Sequence, residues 1–354
     1  MRAAVLVLSW NGGAELRACL EAVQAQEGAV CRLLVVDNGS ADGSADVARQ
    51  AGAEVIENWR NLGFAAGMNV GLRALLGLAD GRGPEDRERG RGGDAETDRV
   101  PQGSERSTPH AEPDAVVLLN QDTLVEPGWL RAVLAPLEDA RVGAVGCKIL
   151  YPDGRTLQHA GMRLDPGRLT ARHDGYGEPD RGQYDAPRDV PAVTGAALAL
   201  RAGALRAVGL LDEGYTPAYY EDIDLCWRLR RAGYTVRYEP RARLRHAESR
   251  SLPDVVARSA LMERNRLRFA VKSLPPEQLW GAFLPAERLR LSVLRHGAEA
   301  RALRRAYLEA ALRAGEWVAA RRAFYPVGPA EERRIRRLCL ALRREMVEWD
   351  RVRE

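Results

Sequence analysis

Three places in the 354-residue chain carry acids that could do chemistry. Asp37 and Asp122 each follow a short apolar run that ends in a polar turn. The third place is the start of a helical pattern, with Glu221, Asp222 and Asp224. Carboxylates bind Mg²⁺ or Mn²⁺, accept hydrogen bonds from a ligand, or take a proton from an attacking hydroxyl. Acids at a helix start also stabilise the helix, so both roles stay open for the third group.

Amide side chains and small residues follow the same apolar runs. Asn11 comes after the first run, Gln121 after the fourth, and Asn61, Gly67 and Asn69 after the third. Amides donate and accept hydrogen bonds, and glycines let the backbone approach a ligand or another helix closely. The turns after the first two runs have neither the GxGxxG spacing nor the GxxxxGK[ST] spacing, which argues against phosphate binding by those routes.

The elements that must position these residues alternate between strands and helices. The pattern predicts strands over 3–8, 33–36, 54–57, 116–119, 144–149 and 196–200, with helices over 15–24, 44–50 and 127–137 and another starting at or just after 221. Such alternation predicts an α/β fold with an open, mainly parallel sheet flanked by helices, which binds ligands at the carboxyl ends of its strands. The polar residues named above would then meet at one edge.

Two regions depart from this pattern. Residues 80–112 are rich in glycine and charge, so we expect a flexible surface insertion there. From 252 onward the chain predicts a helical appendage, which gives domains at 1–250 and 251–354. Residues 255–354 hold 22 Lys and Arg against 12 Asp and Glu, whereas the rest has a small acidic excess. This basic tail is either a solvated helical face or a surface for anionic lipid or an acidic partner.

Composition narrows the classes of protein. With 45% hydrophobic and 29% charged residues the chain can bury a sizeable core, and its apolar runs are too short to cross a bilayer. The first residues read as a strand and not as a signal peptide, so we expect a cytoplasmic protein. Five scattered cysteines without a CxxC pair argue against a disulfide framework and a zinc site. The basic excess is confined to the tail and has no interleaved aromatic platform, which argues against nucleic-acid binding.

Five motifs in this order resemble family 2 glycosyltransferases, and the rhamnosyltransferase-like subgroup in particular. They lie at residues 5–11, 35–40, 61–69, 118–122 and 220–228. The resemblance implies a GT-A fold, a nucleotide-sugar donor, Mg²⁺ or Mn²⁺ on the donor diphosphate, and inverting transfer of the sugar to an acceptor hydroxyl. It implies that Asp37 contacts the nucleoside of the donor. The other expected donor contacts are Asn11, Asn61, Gly67, Asn69 and Gln121.

The same resemblance implies roles for the metal and the base. Asp122 matches the last aspartate of the metal-binding DxD-type motif, and Asn120 stands where that motif has its first acid. His246 resembles a histidine that completes the metal shell in some relatives. Asp222 matches the base that takes the proton from the attacking hydroxyl.

The expected function is therefore transfer of a sugar, with rhamnose as one candidate, to a cell-surface polysaccharide or glycolipid. The acceptor would be a saccharide or lipid-linked saccharide. Helices around 288–344 would make a peripheral contact with the inner face of the cell membrane. Two alternatives stay open: a nucleotidyltransferase, and a sugar-nucleotide or polysaccharide binding protein that has lost catalysis.

Overall fold

The computed structural model describes residues 1–27, 30–79, 111–247, 254–293 and 297–351. The predicted insertion at 80–112 lies outside these residues except for its last two positions. At its borders, the Arg206 guanidinium donates to the carbonyl oxygen of Leu76 at 3.2 Å and pairs with the Glu112 carboxylate. The chain on either side of the insertion is thereby held at one point.

The first half of the chain is a run of parallel strands joined by helices. Its elements are β1 (Ala3–Ser9), α1 (Gly13–Gln24), β2 (Val30–Asp37), α2 (Ser44–Gln50), β3 (Glu54–Glu57), α3 (Phe64–Leu75) and β4 (Ala115–Asn120). The strands are apolar runs whose side chains are buried on both faces, as parallel strands between helical layers require. The predicted βαβαβ order is therefore present.

The second half is more irregular. It contains β5 (Thr123–Val125), α4 (Trp129–Leu134), β6 (Val142–Leu150), β7 (Leu157–His159), β8 (Met162–Leu164), β9 (Ala171–His173), β10 (Arg188–Asp189), β11 (Ala197–Arg201), α5 (Ala202–Val208), α6 (Glu221–Arg231) and β12 (Thr235–His246). Strands β8 and β9 form a separate antiparallel hairpin. The helix predicted over 127–137 ends earlier because residues 135–138 form a 3₁₀ turn.

All other strands belong to one mixed sheet. Its order is β10-β12-β6-β11-β4-β1-β2-β3, with β5 beside β12 and β7 beside β6. Strand β11 runs antiparallel to both of its neighbours, and the remaining long strands are parallel to one another. A mixed, mainly parallel sheet flanked by helices was predicted from the sequence and is confirmed.

Two hydrophobic layers cover the sheet. Alternate residues of β1 divide between them: Leu6 faces the layer that contains Met68 of α3, and Val5 faces the layer that contains Leu20 of α1. The described cysteine side chains are buried and free, at Cys19, Cys147, Cys226 and Cys339. They act as packing residues.

The C-terminal region is helical, as predicted. It comprises α7 (Val255–Ser273), α8 (Pro276–Gln278), a π-helical turn (Leu279–Phe283), α9 (Leu284–Val293), α10 (Gly297–Arg321) and α11 (Pro329–Arg351). Helix α7 buries charged and amide side chains, among them Arg264, Asn265, Arg268 and Lys272, which contact the α/β body. This part of the tail is an integral layer of the body. Across the described residues, no helix has both the length and the hydropathy of a membrane-spanning segment.

Candidate active site

The carboxyl ends of β1, β2 and β4 bring the predicted polar residues to one edge of the sheet. In the parallel register Ser9 lies opposite Asp37, and Leu8 lies opposite Asn120. Asp37 and Asn120 therefore flank the end of β1 on its two sides. This edge is where a parallel α/β sheet binds ligands.

Asp37 carries an unsatisfied acceptor at this edge. Asp37 is only 3% exposed, and its Oδ2 accepts a hydrogen bond from the Ser40 amide at 3.0 Å. Its buried Oδ1 has no hydrogen-bond partner within the described part of the chain. A buried acceptor without a partner is costly. An N–H or O–H group of a ligand would satisfy it.

Two residues that were predicted to contact the nucleotide-sugar donor shape the loops around Asp37. Asn11 accepts from the Ala41 amide through Oδ1 at 2.9 Å. Asn61 accepts through Oδ1 from Asn38 Nδ2 at 2.9 Å and from the Gly63 amide at 2.8 Å. Both oxygens are therefore used to fix the backbone beside the Asp37 carboxylate.

Gln121 ties the β1 and β4 loops together. Its Oε1 accepts from the Trp10 amide at 2.9 Å, and its Nε2 donates to the Trp10 carbonyl at 3.1 Å. The Trp10 side chain is 38% exposed at this edge. Sequence reasoning missed Trp10, although an aromatic residue directly after β1 is a signal for stacking on a flat ligand.

Gly67 and Asn69 serve the packing of α3. A Cβ on Gly67 would lie 2.6 Å from a methyl carbon of Leu8, so the glycine lets the helix approach β1. Asn69 donates to the Leu211 carbonyl at 2.9 Å and to Glu213 at 2.8 Å, and it accepts from the Leu211 amide at 3.1 Å. The contacts described for these two residues lie within the protein, and their role as contacts of the nucleotide-sugar donor stays a prediction.

Asp122 and His246 meet at the same edge. Asp122 Oδ1 lies 3.1 Å from His246 Nε2, and Asn120 Nδ2 lies 3.4 Å from that nitrogen. On the far side of the ring, His246 Nδ1 lies 2.7 Å from Gln158 Oε1. Because Nδ1 must donate to this oxygen, a neutral His246 has its lone pair on Nε2, towards Asp122. Gln158, which sequence reasoning missed, thus orients His246.

This pair fits a divalent cation that shares its shell with a substrate. Among the residues the structure describes, no cluster of three or more His, Cys, Asp or Glu could hold a metal ion. One carboxylate oxygen and one imidazole nitrogen are nevertheless a suitable partial set, because Mg²⁺ and Mn²⁺ at diphosphate sites take further ligands from phosphate and water. Asp122 and His246 would hold the protein side of that shell.

Asp222 lies at the first turn of α6. Its Oδ2 accepts from the Gly195 amide at 2.9 Å and its Oδ1 from the Ile223 amide at 2.8 Å. The next carbonyl, that of Ala196, accepts from the Asn120 amide at 2.9 Å, so Asp222 is anchored beside the loop that carries Asp122. Burial raises the pKa of Asp222 above its ordinary value. A raised pKa makes this carboxylate a better proton acceptor.

The two other acids of α6 have different surroundings. Glu221 is buried and its Oε2 has no hydrogen-bond partner in the described chain. Burial, followed by the charge of Asp222, raises the pKa of Glu221 well above its ordinary value. Asp224 is buried in ion pairs with Arg228 at 2.8 Å and Lys272 at 2.7 Å. Asp222 is the half-buried member of the group, which leaves it as the candidate base.

Known proteins are similar to this chain in sequence. A pre-mycofactocin glycosyltransferase from Mycobacterium tuberculosis H37Rv is 28% identical over 249 residues, which cover 68% of this chain and 43% of that protein. An N-acetylglucosaminyl-diphospho-decaprenol L-rhamnosyltransferase from the same organism is 28% identical over 261 residues, covering 70% of this chain and 76% of that protein. The chain thus spans less than half the length of the first relative.

A solved structure and a family model also match this chain to glycosyltransferases. The mannosyltransferase PcManGT from Pyrobaculum calidifontis, in complex with GDP-Man and Mn²⁺, superposes with a TM-score of 0.51 at 16% identity, covering 100% of this chain and 88% of that one. The family model described as "Glycosyltransferase like family 2" matches residues 2–269. This chain therefore belongs to the glycosyltransferase like family 2 and has the GT-A fold.

Proposed function

We propose that the chain is an inverting glycosyltransferase that moves a sugar from a nucleoside diphosphate to an acceptor hydroxyl. The observation that carries the proposal is the order of groups along one sheet edge. An unsatisfied acceptor at Asp37 is followed by the Asp122–His246 pair, and then by a half-buried carboxylate at Asp222. In this order, the three groups would contact the nucleoside of the donor, hold the cation on its diphosphate, and act as the base.

In the reaction, Asp222 takes the proton from the acceptor hydroxyl while the hydroxyl oxygen attacks the anomeric carbon of the donor sugar. The bond from that carbon to the diphosphate oxygen breaks, and the nucleoside diphosphate leaves. A divalent cation, Mg²⁺ or Mn²⁺, supplies positive charge to the leaving diphosphate when it is bound. Asp37 orients the nucleoside through its free oxygen, and the Gly195 and Ile223 amides hold the Asp222 carboxylate in place.

The donor and acceptor are finer parts of the proposal. We infer a nucleotide sugar, with a rhamnose donor as the first candidate because one relative is a rhamnosyltransferase acting on a lipid-linked saccharide. A peripheral contact with an anionic membrane surface would present such an acceptor. Exposed apolar residues in α9, Leu289 at 64% and Val293 at 70%, support it together with the basic excess of the tail.

The test is a panel of nucleotide sugars, including dTDP-rhamnose, incubated with Mg²⁺ or Mn²⁺ and assayed for the phosphate product. Release of a nucleoside diphosphate supports the proposal, whereas release of pyrophosphate indicates a nucleotidyltransferase. Donor binding without any turnover indicates a binding protein. Asp222→Asn should lower kcat by about 100- to 10,000-fold and largely spare donor binding. Asp46→Asn, at a highly exposed carboxylate, is the matched control.

The pH dependence gives a second check on the base. Asp222 works in its ionised form, so turnover should fall as the pH drops through its raised pKa. The acid limb of kcat should therefore lie above the ordinary Asp value of 3.8. An acid limb at or below that value would contradict the assignment of Asp222.

Liposome flotation tests the membrane contact. The full chain should float with anionic vesicles and remain unbound with neutral ones. Replacement of Leu289 and Val293 by serine should reduce the floated fraction. Equal recovery in the unbound fraction with both kinds of vesicle would reject the contact.

A further inference from the structure

Two consecutive tyrosines before α6 adopt a left-handed backbone. The φ angle is +77° at Tyr219 and +75° at Tyr220. This region is unfavourable for residues that carry a Cβ, so neighbouring groups must hold it. Tyr220 is followed directly by Glu221 and then by Asp222. The backbone conformation of these tyrosines therefore sets the position from which the Asp222 side chain extends into the site.

A buried asparagine of α7 binds the segment that contains them. Asn265 is 0% exposed. Its Nδ2 donates to the carbonyl oxygens of Tyr215 at 3.2 Å, Ala218 at 2.9 Å and Tyr219 at 2.8 Å. An amide nitrogen has two hydrogens, so at least one of them is shared between two of these acceptors. The whole donor capacity of Asn265 is directed at this turn.

Arg264 fixes the orientation of that amide. Asn265 Oδ1 accepts from Arg264 Nε at 3.0 Å and from Nη2 at 2.8 Å. The same guanidinium donates to the Thr216 carbonyl and pairs with Glu309 at 3.2 Å. Because a guanidinium only donates, the amide oxygen must face it and the amide nitrogen must face the turn.

The other side of the turn contacts residues that hold the base. The Phe64 amide donates to the Pro217 carbonyl at 2.6 Å. A Cβ on Gly195 would lie 3.1 Å from the Phe64 ring and 3.6 Å from Asp222 Cβ. Gly195 is also the residue whose amide binds the Asp222 carboxylate. The turn is thus clamped between α7 and the start of α3, next to the base.

The same helix also holds α6 directly. Lys272 Nζ lies 2.5 Å from Asp212 and 2.7 Å from Asp224 of α6, and Arg268 lies 3.0 Å from Asp212. Arg264, Arg268 and Lys272 are spaced four residues apart, so they share one face of α7. This face touches both the Tyr215–Tyr219 turn and α6, the helix that carries Asp222.

We propose that Asn265 is a positioning residue for the base. It holds the Tyr215–Tyr219 turn so that the Asp222 side chain points from α6 towards Gly195 and the acceptor. The proposal rests on the proposed function, which assigns the base to Asp222. Asn265 belongs to the C-terminal helical region, and its side-chain hydrogen bonds within the described chain go to the turn and to Arg264, not to the Asp37 or Asp122 loops. Its loss should therefore affect kcat and leave the donor contacts in place.

The test compares Asn265→Ala and Asn265→Asp with the wild-type chain. The aspartate keeps the side-chain volume and the contact with Arg264, but an ionised carboxylate cannot donate to the three carbonyls. Both variants should lower kcat by about 100-fold with the donor KM within about 2-fold of wild type. Amide hydrogen exchange should rise in peptides that contain Gly195 or residues 215–224, and remain unchanged over residues 33–44.

Arg321→Met is the matched control for lost stability. Arg321 is also fully buried and also donates to backbone carbonyls of the C-terminal region, those of Val271 at 2.8 Å and Leu274 at 2.7 Å. It should lower Tm at least as much as the Asn265 variants and keep kcat within about 2-fold. If Asn265→Ala does not fold, Asn265→Asp decides.

Three outcomes would overturn the proposal: unchanged kcat in the Asn265 variants, an equal loss in Arg321→Met, or unchanged exchange near Gly195. Failure of the proposed function looks different, because the wild-type chain itself would then release no nucleoside diphosphate from any donor. In that case the exchange data alone still decide whether Asn265 holds the turn.

Discussion

Replacing Lys272 by methionine would remove one cationic partner from the half-buried carboxylate of Asp212 and from the buried carboxylate of Asp224. Lys272 Nζ lies 2.5 Å from Asp212 and 2.7 Å from Asp224, and all three side chains are largely shielded from water. Burial raises the pKa of Asp212, but the charges of Lys272 and Arg268 outweigh it and hold that pKa well below its ordinary value. The Asp212 carboxylate is therefore ionised, and it depends on the neighbouring cations.

The magnitude follows from these distances. At an effective dielectric constant of about 20, each contact is worth about 6 kcal/mol of gross attraction. Arg268 and Arg228 remain as partners, and the methionine avoids the cost of burying an ammonium. The net loss should be about 3–5 kcal/mol, as for other buried pairs that lose one member. With an unfolding entropy of about 2.1 cal/mol/K per residue, Tm should fall by about 4–7 °C.

Thermal unfolding by circular dichroism at neutral pH measures this loss. Arg305→Met is the control, because Arg305 is exposed and pairs with Glu309 at 3.4 Å, and such pairs contribute at most about 1 kcal/mol. Adding Asp212→Asn to Lys272→Met should recover part of the lost Tm, since it removes one of the two carboxylates that have lost a cation. The reasoning is refuted if Lys272→Met lowers Tm no more than Arg305→Met does.

Three further predictions concern single side chains. Gln158→Leu frees the His246 ring and should raise the Mn²⁺ concentration for half-maximal turnover by about 10- to 100-fold, measured by metal titration. Gly71→Ala would place a Cβ 2.3 Å from a leucine methyl of β1, and should cost about 1–3 kcal/mol in urea unfolding. Glu221 has a raised pKa in the folded state, so its contribution to stability is present below its ordinary pKa of 4.5 and is lost as the pH rises. Glu221→Gln should therefore gain Tm over wild type as the pH rises from about 4.5 to about 8, and a constant difference would contradict this.

The first half of the fold was predictable because its signals are local. Each of β1, β2 and β4 is an apolar run followed by a polar turn, and parallel strands bring their ends together. The placement of Asp37 and Asp122 at one edge follows from that rule alone. The position of Asp222 depended on the family resemblance, because its hydrogen bond to Gly195 spans 27 residues.

The missed residues act through contacts that no sequence period reports. Gln158 reaches His246 across 88 residues, and Asn265 reaches Tyr219 across 46 residues. The charged residues of α7 left a solvated face, a surface for anionic lipid and a surface for an acidic partner open, since a pattern of charges does not show whether the protein's own residues of opposite charge will cover it. The sequence does not decide the role of Gly67 and Asn69 for the same reason: small and amide residues suit a ligand pocket and a tight helix contact equally well.

The Arg206 guanidinium offers a practical route for engineering. It touches the carbonyl of Leu76 and the carboxylate of Glu112, so the two ends of described chain that border residues 80–110 lie within reach of one side chain. A short Gly-Ser linker could bridge them at a small entropic cost, because closure entropy varies slowly with length. The abridged enzyme should keep its donor affinity and would suit crystallisation with a bound nucleotide sugar.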